Sequence, residues 1–366
     1  MIPFVVLLIL AIGILECITL YDPLKDADYS VRTLKRSVEE GEVFSVESTV
    51  TNHSPLPMAF LGLEESFPGE ASFPNLPAQY TLHLPPDSLK LPKKLFSTVF
   101  LMPRQTLTRR VELSLPARGR YFLRGAELTA GDFLGFQSRS RNWYAFQEIV
   151  VLPGRSQAKP AITALGGFLG EISVRRFIME DPVLTLGFRE YTGREPQKQI
   201  AWTQSLRAGK LLVKEFDHTL DLSVTVLLDV ALHDDPQGEA LIEECFRLAR
   251  TVCETLEQKR IQYGFLTNAM AAGALGHWKS ITEGLGESHL MAILEGLGRA
   301  TYDHGEDFHE TLERAARMAE QGRSHILITP RRDAQAEAGA RLLESRTGGR
   351  VCILEAALPE SGKEGN

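Results

Sequence analysis

The sequence predicts a multi-domain protein: an amino-terminal transmembrane helix, an all-β domain, and an α/β domain with a mostly parallel sheet. Three observations lead to this prediction. Residues 2–15 contain no charged side chain. Residues 43–50 and 111–115 alternate between apolar and polar side chains, as half-buried strands do. From residue 222 onward, short apolar runs typical of buried strands alternate with helical patterns.

The apolar segment at the amino terminus has about the length of a membrane span. Its apolar run resumes after Glu16 and continues to Tyr21, which approaches the roughly 20 residues that cross a bilayer. Basic residues such as Lys25 and Arg32 follow the segment, and none precedes it. The positive-inside rule therefore predicts a single-pass protein of the cell membrane with cytoplasmic domains, residues 1–21 forming the span. A cleaved signal peptide on a secreted adhesion module is the alternative, although no basic n-region or small-residue cleavage site supports it.

The overall charge argues against nucleic acid as a partner. The formal net charge is −7 at pH 7, whereas binding to a phosphate backbone requires a basic surface. The four cysteines form no CxxC pair and no spaced Cys/His set for zinc, which favours a reducing compartment. These features predict protein partners rather than nucleic acid.

Residues 29–153 have the pattern of a β-sandwich. Short alternating segments are separated by turns rich in Pro, Gly and Asn, as in residues 51–55. Residues 117–136 indicate two further strands around a Gly-Asp turn. The number and spacing of these strands predict an immunoglobulin-like sandwich.

Residues 221–357 have the pattern of an α/β domain. The apolar run 224–228 ends in Asp229, as expected of a parallel strand buried on both faces. Apolar residues at helical spacing follow it: Leu241, Cys245, Leu248, Val252 and Leu256. Further strands and helices alternate as far as residue 354. Residues 154–220 form a connecting segment, and residues 358–366 are predicted to be a disordered tail.

An open α/β sheet carries its site at the carboxyl ends of the strands, which points to Asp229 and to the loops after Thr267 and Thr329. No phosphate-binding loop, nucleophile elbow or HExxH motif occurs in the sequence. An enzyme remains the alternative, either as a metal-dependent hydrolase using Asp229, Asp303 and His304 or through an activity of the connecting segment.

The connecting segment carries a family resemblance. Its stretches Phe188-Arg-Glu-Tyr191, Ile200-Ala-Trp202 and Ser205-Leu-Arg207 resemble the signature of the "domain of unknown function 58" family of bacterial proteins. The family pattern runs R-E-Y-x-x-G-D-x-x-R-x-I-D-W and then S-A-R. The resemblance implies a β-sandwich followed by a von Willebrand factor A-like domain. It also implies partners, namely a MoxR-type AAA+ ATPase and membrane proteins encoded nearby, but no defined reaction.

Two hypotheses are open for the residues of this signature. Either Trp202 and Tyr191 are buried between the domains while Arg189, Glu190 and Arg207 bond one another, or the segment is an exposed ridge that a partner recognises. The candidate docking or interdomain residues are Arg189, Glu190, Tyr191, Trp202, Ser205 and Arg207.

No metal site is expected at the sheet edge. Von Willebrand A domains that bind Mg²⁺ use D-x-S-x-S, because this small cation prefers several oxygen ligands. Here the corresponding positions are Asp229, Ala231 and His233, and Ala231 offers no side-chain oxygen. Arg331 adds a positive charge that opposes a cation. The alternative is a rebuilt site that uses Asp234, Asp235 or Asp303.

Taken together, these patterns predict a membrane-anchored, non-enzymatic scaffold or adaptor that docks protein partners and needs no cofactor. The alternatives are a metal-dependent enzyme and a metal-dependent adhesion module, both of which would use the α/β domain.

Overall fold

A computed structural model describes residues 2–19, 22–83, 91–131, 138–178, 185–193, 195–216, 223–231, 236–273 and 276–358. The chain divides into two compact units. The first comprises Met1–Gly154 with Leu297–Arg299, and the second comprises Arg155–Gly296 with Ala300–Asn366. The predicted tail lies, from residue 359 onward, outside the described residues.

The amino-terminal helix α1 is shorter than predicted for a membrane span. It covers Ile2–Thr19, and its 18 residues include Glu16. At about 1.5 Å per residue the helix is about 27 Å long, against a hydrocarbon core of about 30 Å. Within the described residues, no helix combines the length and apolarity needed to cross a membrane. The prediction of a single-pass membrane protein with cytoplasmic domains is therefore wrong.

The described residues of the first unit form nine strands. They are β1 (Ala27–Thr33), β2 (Ser37–Val38), β3 (Val43–Asn52), β4 (Met58–Phe67), β5 (Tyr80–His83), β6 (Lys93–Leu101), β7 (Thr106–Ser114), β8 (Gly119–Gly131) and β9 (Ser138–Val151). One sheet has the order β1-β3-β7, and the other has the order β2-β9-β8-β4-β6-β5. All pairs are antiparallel except β2 with β9.

The two sheets form a β-sandwich, which confirms the architecture predicted for this part of the chain. Side chains from both sheets share one core cluster, including Phe44 and Leu113 from the small sheet and Leu95 and Leu123 from the large one. The two segments whose alternation predicted strands are direct neighbours, since Phe44 pairs with Leu113 in the register of β3 and β7. Their inward side chains are buried because the pleat directs every second residue to the core.

The chain from residue 155 onward forms further helices and strands. The helices are α2 (Lys159–Ile178), α3 (Trp202–Ala208), α4 (Gly238–Gln258), α5 (Glu287–Arg299), α6 (Phe308–Met318) and α7 (Ala334–Thr347). The strands are β10 (Thr185–Glu190), β11 (Leu212–Phe216), β12 (Ser223–Leu228), β13 (Gln262–Thr267), β14 (Ala269–Ala271), β15 (Ser280–Gly284), β16 (Ala300–His304), β17 (Ser324–Thr329) and β18 (Val351–Glu355).

The second unit is built on a five-stranded sheet with the order β15-β13-β12-β17-β18. Four of these strands are parallel, and β15 runs antiparallel at one edge. Leu227 and Leu327, from the two central strands, pack against Phe308 and Leu312 of α6 and Leu343 of α7. Strand β12 is completely apolar apart from Ser223 and Thr225, because a central strand of such a sheet is covered on both faces.

Candidate functional site

Asp229 lies directly after the central strand β12 and is almost completely buried, with 7% of its surface exposed. Its Oδ1 accepts hydrogen bonds from the backbone N–H of Ala231 and from Nδ2 of Asn268, both at 2.8 Å. The hydroxyl of Thr329 lies 3.3 Å from Oδ2, and it also donates to the carbonyl oxygen of Arg331 at 2.9 Å. One backbone N–H and two side chains of the second unit therefore already contact the carboxylate oxygens.

Burial raises the pKa of Asp229 to about 6, because removal from water disfavours the charged form. Hydrogen bonds from Ala231, Asn268 and Thr329 oppose this rise, and the nearby charge of Asp333 adds to it. At neutral pH the carboxylate is thus ionised at a cost in free energy. Such a cost is typical of functional sites, although structural networks also produce it.

A cleft of about 340 Å³ opens beside Asp229 at the carboxyl edge of the sheet. Asp307 caps the amino terminus of α6 by accepting from the backbone N–H of His309, and Asp333 caps α7 by accepting from that of Ala336. Both caps line the cleft together with His304. The lining thus has several polar side chains, but two of the three aspartates among its described residues cap the amino termini of helices.

The residues expected to mark a lost metal site are only partly described. Ala231 contributes a backbone donor to Asp229, and His233 lies outside the described residues, as do Asp234 and Asp235. Asp303 is exposed on β16. Among the described residues, no group of three His, Cys, Asp or Glu side chains could hold a metal ion.

The signature segment folds into a hairpin of β10 and β11 joined through the short helix α3. Ser205 holds these parts together, since its buried Oγ donates to the carbonyl oxygen of Ala201 at 2.9 Å and accepts from the backbone N–H of Leu212 at 2.8 Å. Gly209 then ends the helix with a φ of 66°, in the left-handed region that glycine adopts readily. The Ser-Leu-Arg-Ala-Gly stretch therefore encodes a helix end and its attachment to β11.

The charged residues of the signature pair differently from the prediction. Arg189 pairs with Glu195 at 2.5 Å, and Glu190 pairs with Lys210. The hydrogen bond from Arg189, followed by that from Thr192, lowers the pKa of Glu195 to about 2. Arg207 is exposed at the end of α3. The structure does not show the mutual bonding of Arg189, Glu190 and Arg207. Arg189 and Glu190 each pair with another residue of the hairpin instead.

The aromatic residues of the signature differ in their exposure. Trp202 is 60% exposed and Tyr191 is half-buried. Leu206 lies four residues after Trp202 and is 85% exposed, so both side chains lie on one face of α3. Of the two hypotheses open for the signature, this exposure favours the ridge that a partner recognises. We call Trp202 and Leu206 the α3 surface.

Comparison with solved structures finds similarity to small β-domains over about a third of the chain. A non-cellulosomal cohesin from Archaeoglobus fulgidus is 11% identical with a TM-score of 0.25, covering 37% of this chain and 95% of its own. A type II cohesin module from Acetivibrio cellulolyticus is 14% identical with a TM-score of 0.25, covering 36% and 99%. The CARDB domain of a Pyrococcus furiosus protein is 14% identical with a TM-score of 0.22, covering 34% and 92%. No protein-family model and no curated protein matches the chain.

Asn268 is the first residue of the loop after Thr267, but sequence reasoning did not single it out as a member of the Asp229 cluster. It follows β13 directly, is fully buried, and also accepts from the backbone N–H of Val230 at 3.0 Å. The signal was present, because a polar residue that follows the strand next to β12 lies at the same sheet edge. The structure brings Asp229, Asn268 and Thr329 together, and it places the α3 surface on a different element, α3.

Proposed function

We propose that this chain is a non-enzymatic adaptor whose second unit is a von Willebrand factor A-like domain of the type implied by the signature, and that it docks a protein partner through the α3 surface. The observation that carries the proposal is the exposure of Trp202 and Leu206 side by side on a helix that buried hydrogen bonds hold in place. Tryptophan is among the residues most often responsible for binding energy at protein interfaces.

The order of the sheet supports the proposed fold. Asp229 ends the central strand, parallel strands flank it on both sides, and an antiparallel strand closes one edge. This arrangement is consistent with the fold that the signature implies. Asp229 stands at the first position of the metal-binding motif D-x-S-x-S. Ala231 and Arg331 stand where such a motif needs oxygen ligands.

The state of Asp229 supports a role without catalysis. A general base or metal ligand needs a lone pair directed at its substrate or ion. Here Oδ1 accepts two hydrogen bonds and Oδ2 contacts the hydroxyl of Thr329. Through these contacts the side chain of Asp229 ties β12 to the neighbouring strand ends.

The geometry of α3 supports docking through the α3 surface. Leu212 and Ala201 fix the backbone on either side of the helix through Ser205. Because the helix is already ordered, its exposed side chains lose little conformational freedom on binding. The pairs Arg189–Glu195 and Lys210–Glu190 supply a polar surround of the kind found at the rims of interfaces.

The test uses a purified MoxR-type AAA+ ATPase as the partner, immobilised for capture of the full chain. Trp202→Ala and Leu206→Ala should each reduce capture about tenfold or more while the thermal midpoint changes little, as surface substitutions do. Trp278→Ala is the matched control, because Trp278 is 5% exposed and packs against Phe265 with ring centroids 6.0 Å apart. That change should cost about 3 to 5 kcal/mol of stability.

Unchanged capture by both α3 variants would reject the α3 surface as the docking site. If the wild-type chain shows no capture, the proposed partner is wrong. Turnover that disappears in Asp229→Asn would favour the enzyme alternative.

A further inference from the structure

The first unit has an opening on the side of the sandwich, between β6 of the large sheet and β7 of the small one. Its volume is about 370 Å³, within the range of small-molecule sites. Ser97 and Thr98 line it from β6, and Thr108, Arg109 and Arg110 line it from β7. The side chains around the opening are thus mainly hydroxyls and guanidinium groups.

Among the described residues that line the opening, the charged groups are Arg109 and Arg110, and none is acidic. Each arginine has a carboxylate partner that lies outside the lining. Arg109 pairs with Glu65 at 3.0 Å and Arg110 pairs with Glu47 at 2.5 Å. An anion in the opening would therefore meet guanidinium groups first, which favours negative charge.

Arg109 forms a rigid, buried floor for such a site. Its side chain is 6% exposed, Nη1 donates to Oγ of Ser97, and Nη2 donates to Oε2 of Glu65. The guanidinium group also lies 5.4 Å from the centre of the Tyr80 ring. Among the described residues, its buried Nε has no acceptor. A buried donor without an acceptor carries a cost in free energy that an added acceptor nearby can relieve.

The backbone of β7 beside the opening can also form hydrogen bonds to a ligand. Strand β7 pairs with β3 along one edge. Along its other edge, the only partner within the described part of the chain is the isolated bridge between Ser114 and Ser72. That bridge lies at the far end of the strand, so the edge near Thr108 keeps polar groups that face no other strand of the described ranges.

From these observations we propose that the opening binds a small molecule that carries carboxylate groups. Arg110, whose side chain is 59% exposed, receives one carboxylate at the rim, where Thr98 is also exposed, and the buried side contributes the Arg109 guanidinium group and the hydroxyl of Ser97. A planar carboxylate matches the forked donors of arginine better than a spherical anion does. Two arginines at different depths suit a dicarboxylate.

The experiment titrates the full chain with succinate by calorimetry and repeats the titration with succinamide, its neutral counterpart, at matched ionic strength. Succinate should bind with a Kd of about 1 mM or tighter, and succinamide should bind at least about tenfold more weakly. Arg110→Gln and Thr98→Val should each weaken succinate binding by about tenfold. Arg109 itself is left intact, because its loss would strand Glu65 as a buried unpaired charge.

Arg32→Gln is the matched control. Arg32 pairs with the same Glu47, at 2.8 Å, but does not line the opening. Its loss should leave succinate binding unchanged. Equal binding of succinate and succinamide, equal weakening by Arg32→Gln and Arg110→Gln, or no binding of succinate at about 10 mM would each overturn the proposal. Equal or tighter binding of inorganic phosphate would overturn the assignment to carboxylates.

Discussion

Asn268 donates a hydrogen bond from Nδ2 to Oδ1 of Asp229 at 2.8 Å, across 39 positions of sequence. The same amide accepts from the backbone N–H of Val230, so one buried side chain ties the end of β13 to the end of β12. The bond favours the ionised form of Asp229, but burial outweighs it and the pKa of the carboxyl group is raised to about 6. The stability of the second unit should therefore depend on pH through Asp229.

Asp229→Asn should stabilise the second unit at pH 7. The folded pKa of about 6 lies above the ordinary aspartate pKa of 3.8, so the folded state binds the proton more tightly and stability falls as pH rises from about 4 to 6. Asparagine can keep both bonds to Oδ1 and donate from Nδ2 to the hydroxyl of Thr329. The expected gain is about 1 to 3 kcal/mol, measured by urea unfolding at pH 7 and at pH 4. At pH 4 the gain should nearly vanish.

Asp307→Asn is the control for this prediction. Asp307 is exposed, and its bonds from His309 and Gln335 lower its pKa, so its charged form is the favoured one. Replacing it should leave stability unchanged or slightly lower at pH 7, because asparagine also caps helices well. A loss of stability in Asp229→Asn would mean that the charge, rather than the hydrogen bonds, holds the strand ends together.

His325 should make the second unit sensitive to acid. It is fully buried in β17, and neither ring nitrogen has a partner among the described residues. Burial, and then the charge of Arg323, lower its pKa from 6.5 to about 4. The unfolded chain therefore takes up a proton that the folded chain resists, and stability falls by up to about 3 kcal/mol as pH decreases from 6.5 to 4.

His325→Leu should remove this loss, since leucine is neutral at every pH and needs no hydrogen bond. The measurement is the free energy of unfolding as a function of pH, and the variant should have a flatter acid limb than the wild type. His309→Leu is the control, because His309 lies in the same unit with its side chain 59% exposed. If His325→Leu keeps the wild-type slope between pH 6.5 and 4, the acid sensitivity comes from another group.

Glu65→Gln should be among the most destabilising conservative changes in the first unit. Glu65 is 2% exposed, accepts from Tyr29 at 2.9 Å and balances the buried charge of Arg109. Removing one charge of a buried pair costs about 3 to 5 kcal/mol, because the other is left uncompensated. The neighbouring Glu64→Gln should cost less than about 1 kcal/mol, since Glu64 pairs with Lys94 at the surface. Equal thermal midpoints for the two variants would contradict this account.

Ser205→Ala should weaken α3 without exposing new apolar surface. It removes the acceptor of the Leu212 backbone N–H, and an unsatisfied buried donor costs about 1 to 3 kcal/mol. Thr203→Ala, at an exposed position of the same helix, should cost less than about 0.5 kcal/mol. Faster hydrogen exchange at Leu212 in Ser205→Ala, but not in Thr203→Ala, is the expected signature. Unchanged exchange there would show that Ser205 does not anchor the hairpin.

The strands with clear periodicity could be predicted because their pattern is local. Phe44 and Leu113 alternate with polar neighbours, and the central strand β12 is a continuous apolar run. The helix α2 was hidden by its glycines, although Leu165, Leu169 and Ile172 recur at helical spacing and are buried. The edge strand β15 was missed because its residues are half-buried and exist as a strand only through pairing with β13.

The sequence by itself determined the order of the elements and placed Asp229 at the end of a buried strand, since both depend on side-chain periods of a few residues. Only the tertiary structure decided which groups meet. Asp229 contacts Thr329 across 100 positions, and Arg109 meets Glu65 across 44. The tertiary structure likewise left the side chain of Trp202 exposed on the surface of α3. Such contacts depend on how sheets and helices pack, because burial and hydrogen-bond partners are chosen by neighbours in space rather than in sequence.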